Sequence, residues 1–154
     1  GQEVTVDMTV GELVHGTQLT VQLWWPGVGG GEQEDSELLT AATRGDKEGA
    51  GAALSRGASV NAKDSHGVGD TPLIWAAYNG HVEVAQLLLA ARANLEAKSG
   101  AGSTPLMCAA NQGHVEMAQL LLAARADLET RGADGCTPLM WAANNGQAEV
   151  AQLL

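Results

Sequence analysis

The chain has 154 residues and a net charge of −10; it is 45% hydrophobic, only 3% aromatic, and has no Phe. A core built from Ala, Leu and Val suits small, closely stacked helices better than a sandwich or barrel. All eight Lys and Arg lie from Arg44 onward, so there is no basic stripe for nucleic acid or an anionic membrane surface.

No apolar run approaches the roughly 18 residues of a spanning helix, which excludes direct membrane insertion by a helix. Two cysteines, Cys108 and Cys136, do not make a disulfide framework, and the simplest reading is a pair of reduced thiols in an intracellular protein.

The first 25 residues are expected to be a β segment. Leu19, Val21 and Leu23 alternate with Thr20 and Gln22 from Gln18 to Trp24, the pattern of a half-buried strand. Val4 to Val6 supplies a second short strand. The order "GQEV", "TVGEL", "TQLTVQL", then "GG" resembles the C-terminal third of a ubiquitin-like β-grasp domain. Such a resemblance implies that the rest of the domain lies upstream. Residues 26–35, rich in Gly and acid, read as a flexible linker.

From residue 71 the chain repeats itself with a period of 33. "TPLIWAAYNG" begins at Thr71, "TPLMCAANQG" at Thr104 and "TPLMWAANNG" at Thr137. Residues 71–103 match 104–136 at 21 of 33 positions, and 137–154 match 104–121 at 13 of 18. In each unit Thr is an N-cap candidate and Pro occupies the first helical turn, where its missing N–H is no loss. Gly80 ends the first helix by accepting a left-handed backbone. His81 then opens a second helix carrying Val84, Ala85, Leu87, Leu88 and Leu89, and an extended hairpin leads back to the next Thr. One such unit cannot bury its apolar faces alone, but stacked neighbours can. Residues 36–70 form a degenerate first unit, with Ala41 and Ala42 aligned on Ala76 and Ala77 and no T-P-L opening.

Residues 36–154 are therefore identified as a member of the ankyrin-repeat family, whose 33-residue period and T-P-L-H-x-A core they follow. The fold class expected is a mainly α ankyrin-repeat solenoid preceded by the short β segment. Two departures stand out. Ile74, Met107 and Met140 replace the family's His, so apolar contact between repeats should substitute for its hydrogen bonds. Arg92 and Arg125 replace the Gly that is kept at Gly57. Either a positive φ is forced on a non-Gly residue there, or those hairpins differ in shape.

The resemblance also implies where a partner binds. The residue after T-P-L-x, and those just after the Ala-Ala pair, face the family's concave groove. By position these are Thr40, Trp75, Cys108 and Trp141, with Tyr78, Asn79, Asn111, Gln112, Asn144 and Asn145 beside them. Trp and Tyr on such a face are typical interface anchors. The bland alternative is that Trp75 and Trp141 only fill gaps between helices. His81 and His114 recur at one repeat position and should orient the turn into the second helix, with Gln147 breaking the series. Neither they nor the cysteines have metal-ligand spacing. No catalytic constellation can be defended, and no cofactor is expected.

The function these readings imply is a non-enzymatic module that binds a protein through its groove and hairpin tips. The alternatives are a structural subunit of a larger complex, an adaptor linking a ubiquitin-like domain to cargo, or the regulatory arm of an enzyme encoded elsewhere. Because "QAEVAQLL" stops inside a second helix, the natural chain is also expected to run past Leu154 and to begin before Gly1.

Overall fold

A computed structural model of the chain describes residues 31–65 and 69–154. The expected β segment and its ubiquitin-like resemblance fall outside the described residues. Within them lie eight helices: α1 (Gly31–Arg44), α2 (Lys47–Ser55), α3 (Pro72–Asn79), α4 (Val82–Ala90), α5 (Pro105–Gln112), α6 (Val115–Ala123), α7 (Pro138–Asn144) and α8 (Ala148–Leu153). They pair α1 with α2, α3 with α4, α5 with α6 and α7 with α8, one pair per repeat. The first helices stack on one another in chain order, and so do the second helices, which gives a two-layered solenoid.

One expectation is corrected at the start of the stack. Residues 31–35, read as linker, are the opening turns of α1. Glu32 and Glu34 in its first turn complement the positive end of the helix dipole. The Asp35 carboxylate accepts the backbone N–H of Ser59 at 2.6 Å. In the next two repeats the matching N–H groups, of Asn94 and Asp127, are held by Asn61 and Glu96 of the preceding hairpin, at 2.8 and 2.9 Å. Asp35 thus does for the Ser59 N–H what Asn61 and Glu96 do for the next two repeats, and Glu37 pairs with Arg56 beside it.

The other local signals act as their chemistry dictates. The Thr71, Thr104 and Thr137 hydroxyls each accept the N–H three residues on, all at 3.4 Å. Gly80 and Gly113 close α3 and α5 with φ of 74° and 77°. Leu38, Leu73 and Leu106 fill the layer between helices at 1% exposure or less, and Ala42, Ala77 and Ala110 are at 0%. These alanines lie where the first helices pack on one another, and a larger side chain there would have to displace a neighbour.

Ile74 and Met107, the replacements for the family histidine, are buried at 2% and 1%. The Met107 sulfur also accepts the Thr104 N–H at 3.5 Å. Met140 has the same sequence around it but is 45% exposed, because no further described repeat covers α7. Arg92 and Arg125 resolve the other departure: both adopt left-handed backbone, with φ of 65° and 69°. The hairpin shape is kept and the strain is accepted.

A second ladder ties repeat to repeat through the row His81, His114 and Gln147. The Nε2–H of His81 donates to the Thr43 carbonyl at 3.1 Å, and that of His114 to the Tyr78 carbonyl at 3.1 Å. The Gln147 amide donates to the Asn111 carbonyl at 3.4 Å. Gln147 breaks the histidine series in identity, yet its side-chain N–H satisfies the same open carbonyl at a helix end.

Candidate functional site

The exposed edge of the first-helix layer is built by a fixed register. Each T-P-L opening starts its helix at the same height, so the second residue after Leu falls in one row across the stack: Trp75, Cys108, Trp141. The last turns of the same helices set a second row, Tyr78 and Asn79, Asn111 and Gln112, then Asn144 and Asn145. Helices α3, α5 and α7 carry no charged side chain in their entire length.

The rows are not equally open. Tyr78 is 45% exposed, and Asn79, Asn144 and Asn145 are exposed. Trp75, Trp141, Asn111 and Gln112 are half-buried. The Trp75 and Tyr78 rings meet edge to face, 6.5 Å apart at 82°, a favoured aromatic geometry. Asn79 and Asn145 donate to the carbonyls of Trp75 and Trp141 at 2.9 Å each. Asn145 also donates to the Asn111 side chain at 2.8 Å, linking two repeats across the surface. Thr40 is exposed, and its hydroxyl is spent on the Ser36 carbonyl at 2.8 Å. It lines a depression of about 350 Å³ with Arg44 and Arg56 at the α1–α2 end of the stack.

Cys108 is the one member whose expected exposure is corrected: it is buried, at 9%. The reason is size. A short thiol in α5, packed between α3 and α7, sits below the level reached by an indole at the same position on either side. Burial, with help from the Asp70 charge, pushes its pKa up to about 12. It is therefore a thiol and not a nucleophilic thiolate at neutral pH. The Cys136 thiol is also pushed up, first by its hydrogen bond to Asp134.

One residue that sequence reading passed over belongs to this region. Asp70 immediately precedes the Thr71 cap, is 8% exposed, and its Oδ1 is enclosed without a hydrogen-bond partner. Its backbone carbonyl closes the hairpin by accepting the Asp64 N–H at 3.0 Å. Desolvation, and next the Asp64 charge, raise its pKa above the usual carboxylate value. The corresponding residues in the next two repeats are Ser103 and Cys136, both neutral. That break in an otherwise regular row was the available signal. The indole Nε1–H of Trp141 is likewise enclosed and unpartnered.

Among the described residues no group of three or more His, Cys, Asp or Glu could hold a metal ion. None of the described helices is long and apolar enough to cross a membrane. The stacked helix pairs and the uncharged aromatic and amide edge define a helical-repeat binding module. A family model described as ankyrin repeats (three copies) matches residues 19–99, 38–132 and 91–154. The chain belongs to the ankyrin-repeat family, whose repeats generally serve as protein–protein interaction modules. A search of curated proteins finds no match to it.

Proposed function

We propose that the chain is a non-catalytic module that binds a protein partner across the face formed by Trp75, Tyr78, Trp141 and the amides beside them. The observation that carries this reading is the Trp75–Tyr78 pair: two large aromatic side chains held edge to face, with Tyr78 45% exposed, on helices without charge. Aromatic anchors offer contact area with few rotatable bonds to freeze. The helices that hold them are already fixed by capping and stacking, so docking loses little further entropy. The amides Asn79, Asn111, Gln112, Asn144 and Asn145 supply adaptable donors and acceptors around them. Two free cysteines suit an intracellular setting.

The test uses peptides selected from a random library on the intact chain. Trp75→Ala, Tyr78→Ala and Trp141→Ala should each weaken binding by roughly 30-fold or more, the equivalent of about 2 kcal/mol, without loss of helical signal. Unchanged binding together with lowered unfolding midpoints would identify the indoles as gap-fillers and refute the proposal.

A further inference from the structure

The amides on the open edge are not interchangeable, because their neighbours fix which end of each one faces outward. The Asn145 side chain meets the Trp141 carbonyl at 2.9 Å and the Asn111 side chain at 2.8 Å. A backbone carbonyl can only accept, so the Asn145 atom that faces it is the nitrogen. The second N–H of that nitrogen goes to Asn111, whose facing atom must then be the oxygen. Both side-chain N–H groups of Asn145 are thereby committed, and its Oδ1 is left open on an exposed residue. At Asn111 the oxygen is committed, while the Nδ2 is neither bonded nor enclosed among the described residues. One free acceptor and one free donor group thus flank a single hydrogen bond between two repeats. Both side chains stand on fixed backbone: the Asn111 carbonyl accepts from Gln147, and the Asn145 backbone N–H donates to the Trp141 carbonyl.

Resting on the reading of the groove given above, we propose that Asn111 and Asn145 together receive a side-chain carboxamide, Gln or Asn, from an uncharged stretch of the protein partner. The carboxamide oxygen accepts from the Asn111 Nδ2, and its N–H donates to the Asn145 Oδ1. Charged groups meet only half of that requirement. A carboxylate has no donor for Asn145, and an ammonium or guanidinium has no acceptor for Asn111. A hydroxyl must make both bonds at one atom, whereas a carboxamide presents two separate atoms to two separate amides. A single trans peptide unit points its N–H and C=O in opposite directions. The surroundings favour the same occupant. Helices α3, α5 and α7 carry no charged side chain, so nothing on them offsets the desolvation of a charged group docked against them. A site built to hydrogen-bond a particular group rejects an analogue that leaves its polar atoms unpaired. The Trp75–Tyr78 pair takes the apolar residues on either side of the carboxamide.

The experiment uses the peptides selected from the random library on the intact chain. They should be enriched in Gln or Asn at one position, and changing that position to Leu or Glu should weaken binding about tenfold or more. Asn111→Asp is the decisive variant: it keeps an oxygen toward Asn145, and with it the bond between repeats, but turns the outward donor into an acceptor. It should lower affinity for the Gln form of a peptide about tenfold or more, with the helical signal unchanged, and should prefer the Lys form instead. A merely structural role for Asn111 gives no such exchange of preference. Spectra of the unaltered chain supply a measure that needs no variant. The Asn111 side-chain NH2 signals in a nitrogen-15 NMR titration should shift with the Gln form and stay in place with the Leu form. Absence of Gln or Asn enrichment, an Asn111→Asp chain that keeps the original preference, or NH2 signals indifferent to the peptide overturns the inference. Peptides sensitive to Trp75→Ala but indifferent to Asn111→Asp sink this inference and leave the groove standing. Peptides indifferent to Trp75→Ala, Tyr78→Ala and Trp141→Ala sink the groove itself.

Discussion

Replacing Gly80 with Ala should reveal how tightly successive repeats are locked. Gly80 closes α3 at φ 74°, and a Cβ there would fall 2.8 Å from the His114 Nδ1 and 3.0 Å from its Cγ. The left-handed backbone costs an alanine about 1–2 kcal/mol, and the stiffer unfolded chain returns about 0.4–1 kcal/mol. The ring must also swing aside and release its hydrogen bond to the Tyr78 carbonyl, a net loss of about 0.5–1.5 kcal/mol. Gly80→Ala should therefore destabilise by about 0.5–3 kcal/mol in all. In a His114→Ala background only the backbone part remains, so a double-mutant cycle should show a coupling of about 0.5–1.5 kcal/mol. Gly146 is an internal control: it has φ 68°, and no atom lies within 4 Å of its added Cβ. Gly146→Ala should behave like Gly80→Ala in the His114→Ala background. Urea titrations followed by far-UV circular dichroism give the four stabilities required. Additivity of Gly80→Ala and His114→Ala within about 0.3 kcal/mol would refute the steric link and with it the ladder's role in joining repeats.

Three further outcomes follow from the same structure. Arg92→Gly and Arg125→Gly should each stabilise by about 0.5 kcal/mol, the left-handed strain relieved less the entropy of a freer unfolded chain, and a lowered urea midpoint in both would contradict the φ values. Met107→Ala should cost about 2–5 kcal/mol and Met140→Ala less than about 0.5 kcal/mol, although the surrounding sequence is the same, because one is at 1% exposure and the other at 45%; thermal melts of the two variants decide this. The folded-state pKa of Asp70 lies above its ordinary 3.8 because burial, and then Asp64, disfavour the anion. Between those two values the folded chain holds more protons than the unfolded chain, so this residue's contribution falls as pH rises. Asp70→Asn should hence raise stability at neutral pH, with the gain shrinking as pH is lowered toward 3.8; a gain that stays constant with pH would refute the assignment.

Much of the solenoid could be read before any coordinates because its signals are local and repeated. Thr-Pro at a helix start, Gly at its end and paired alanines between them act through backbone geometry and size, and each recurs every 33 residues. The misreadings share a different cause, since each depended on what another part of the chain supplies. Residues 31–35 have linker composition, but Asp35 finds the Ser59 N–H and helix results. Gln147 departs from histidine in identity yet presents an N–H to the same carbonyl. Cys108 holds a surface slot in the frame, but whether a slot is reached by solvent depends on side-chain length relative to its neighbours. Asp70 carried a weak signal, an acid where the next repeats have Ser and Cys. Its meaning depends on burial, which no spacing rule conveys.

The division between frame and slot has an energetic basis. Leu73, Leu106, the paired alanines and the His114 ladder are each buried or bonded across two repeats, so a change in one is felt by its neighbour. In a stack whose stability comes from nearest-neighbour contacts, such positions cannot drift independently. Tyr78 is exposed on the same helices, while Trp75 and Trp141 are half-buried, Trp75 against the core. None of the three side chains supplies a cap, a paired-alanine contact or a hydrogen bond between repeats, so the frame constrains them less. Asp70 shows that the frame accepts an acid where the next repeats have Ser103 and Cys136, at the cost of desolvating its carboxylate.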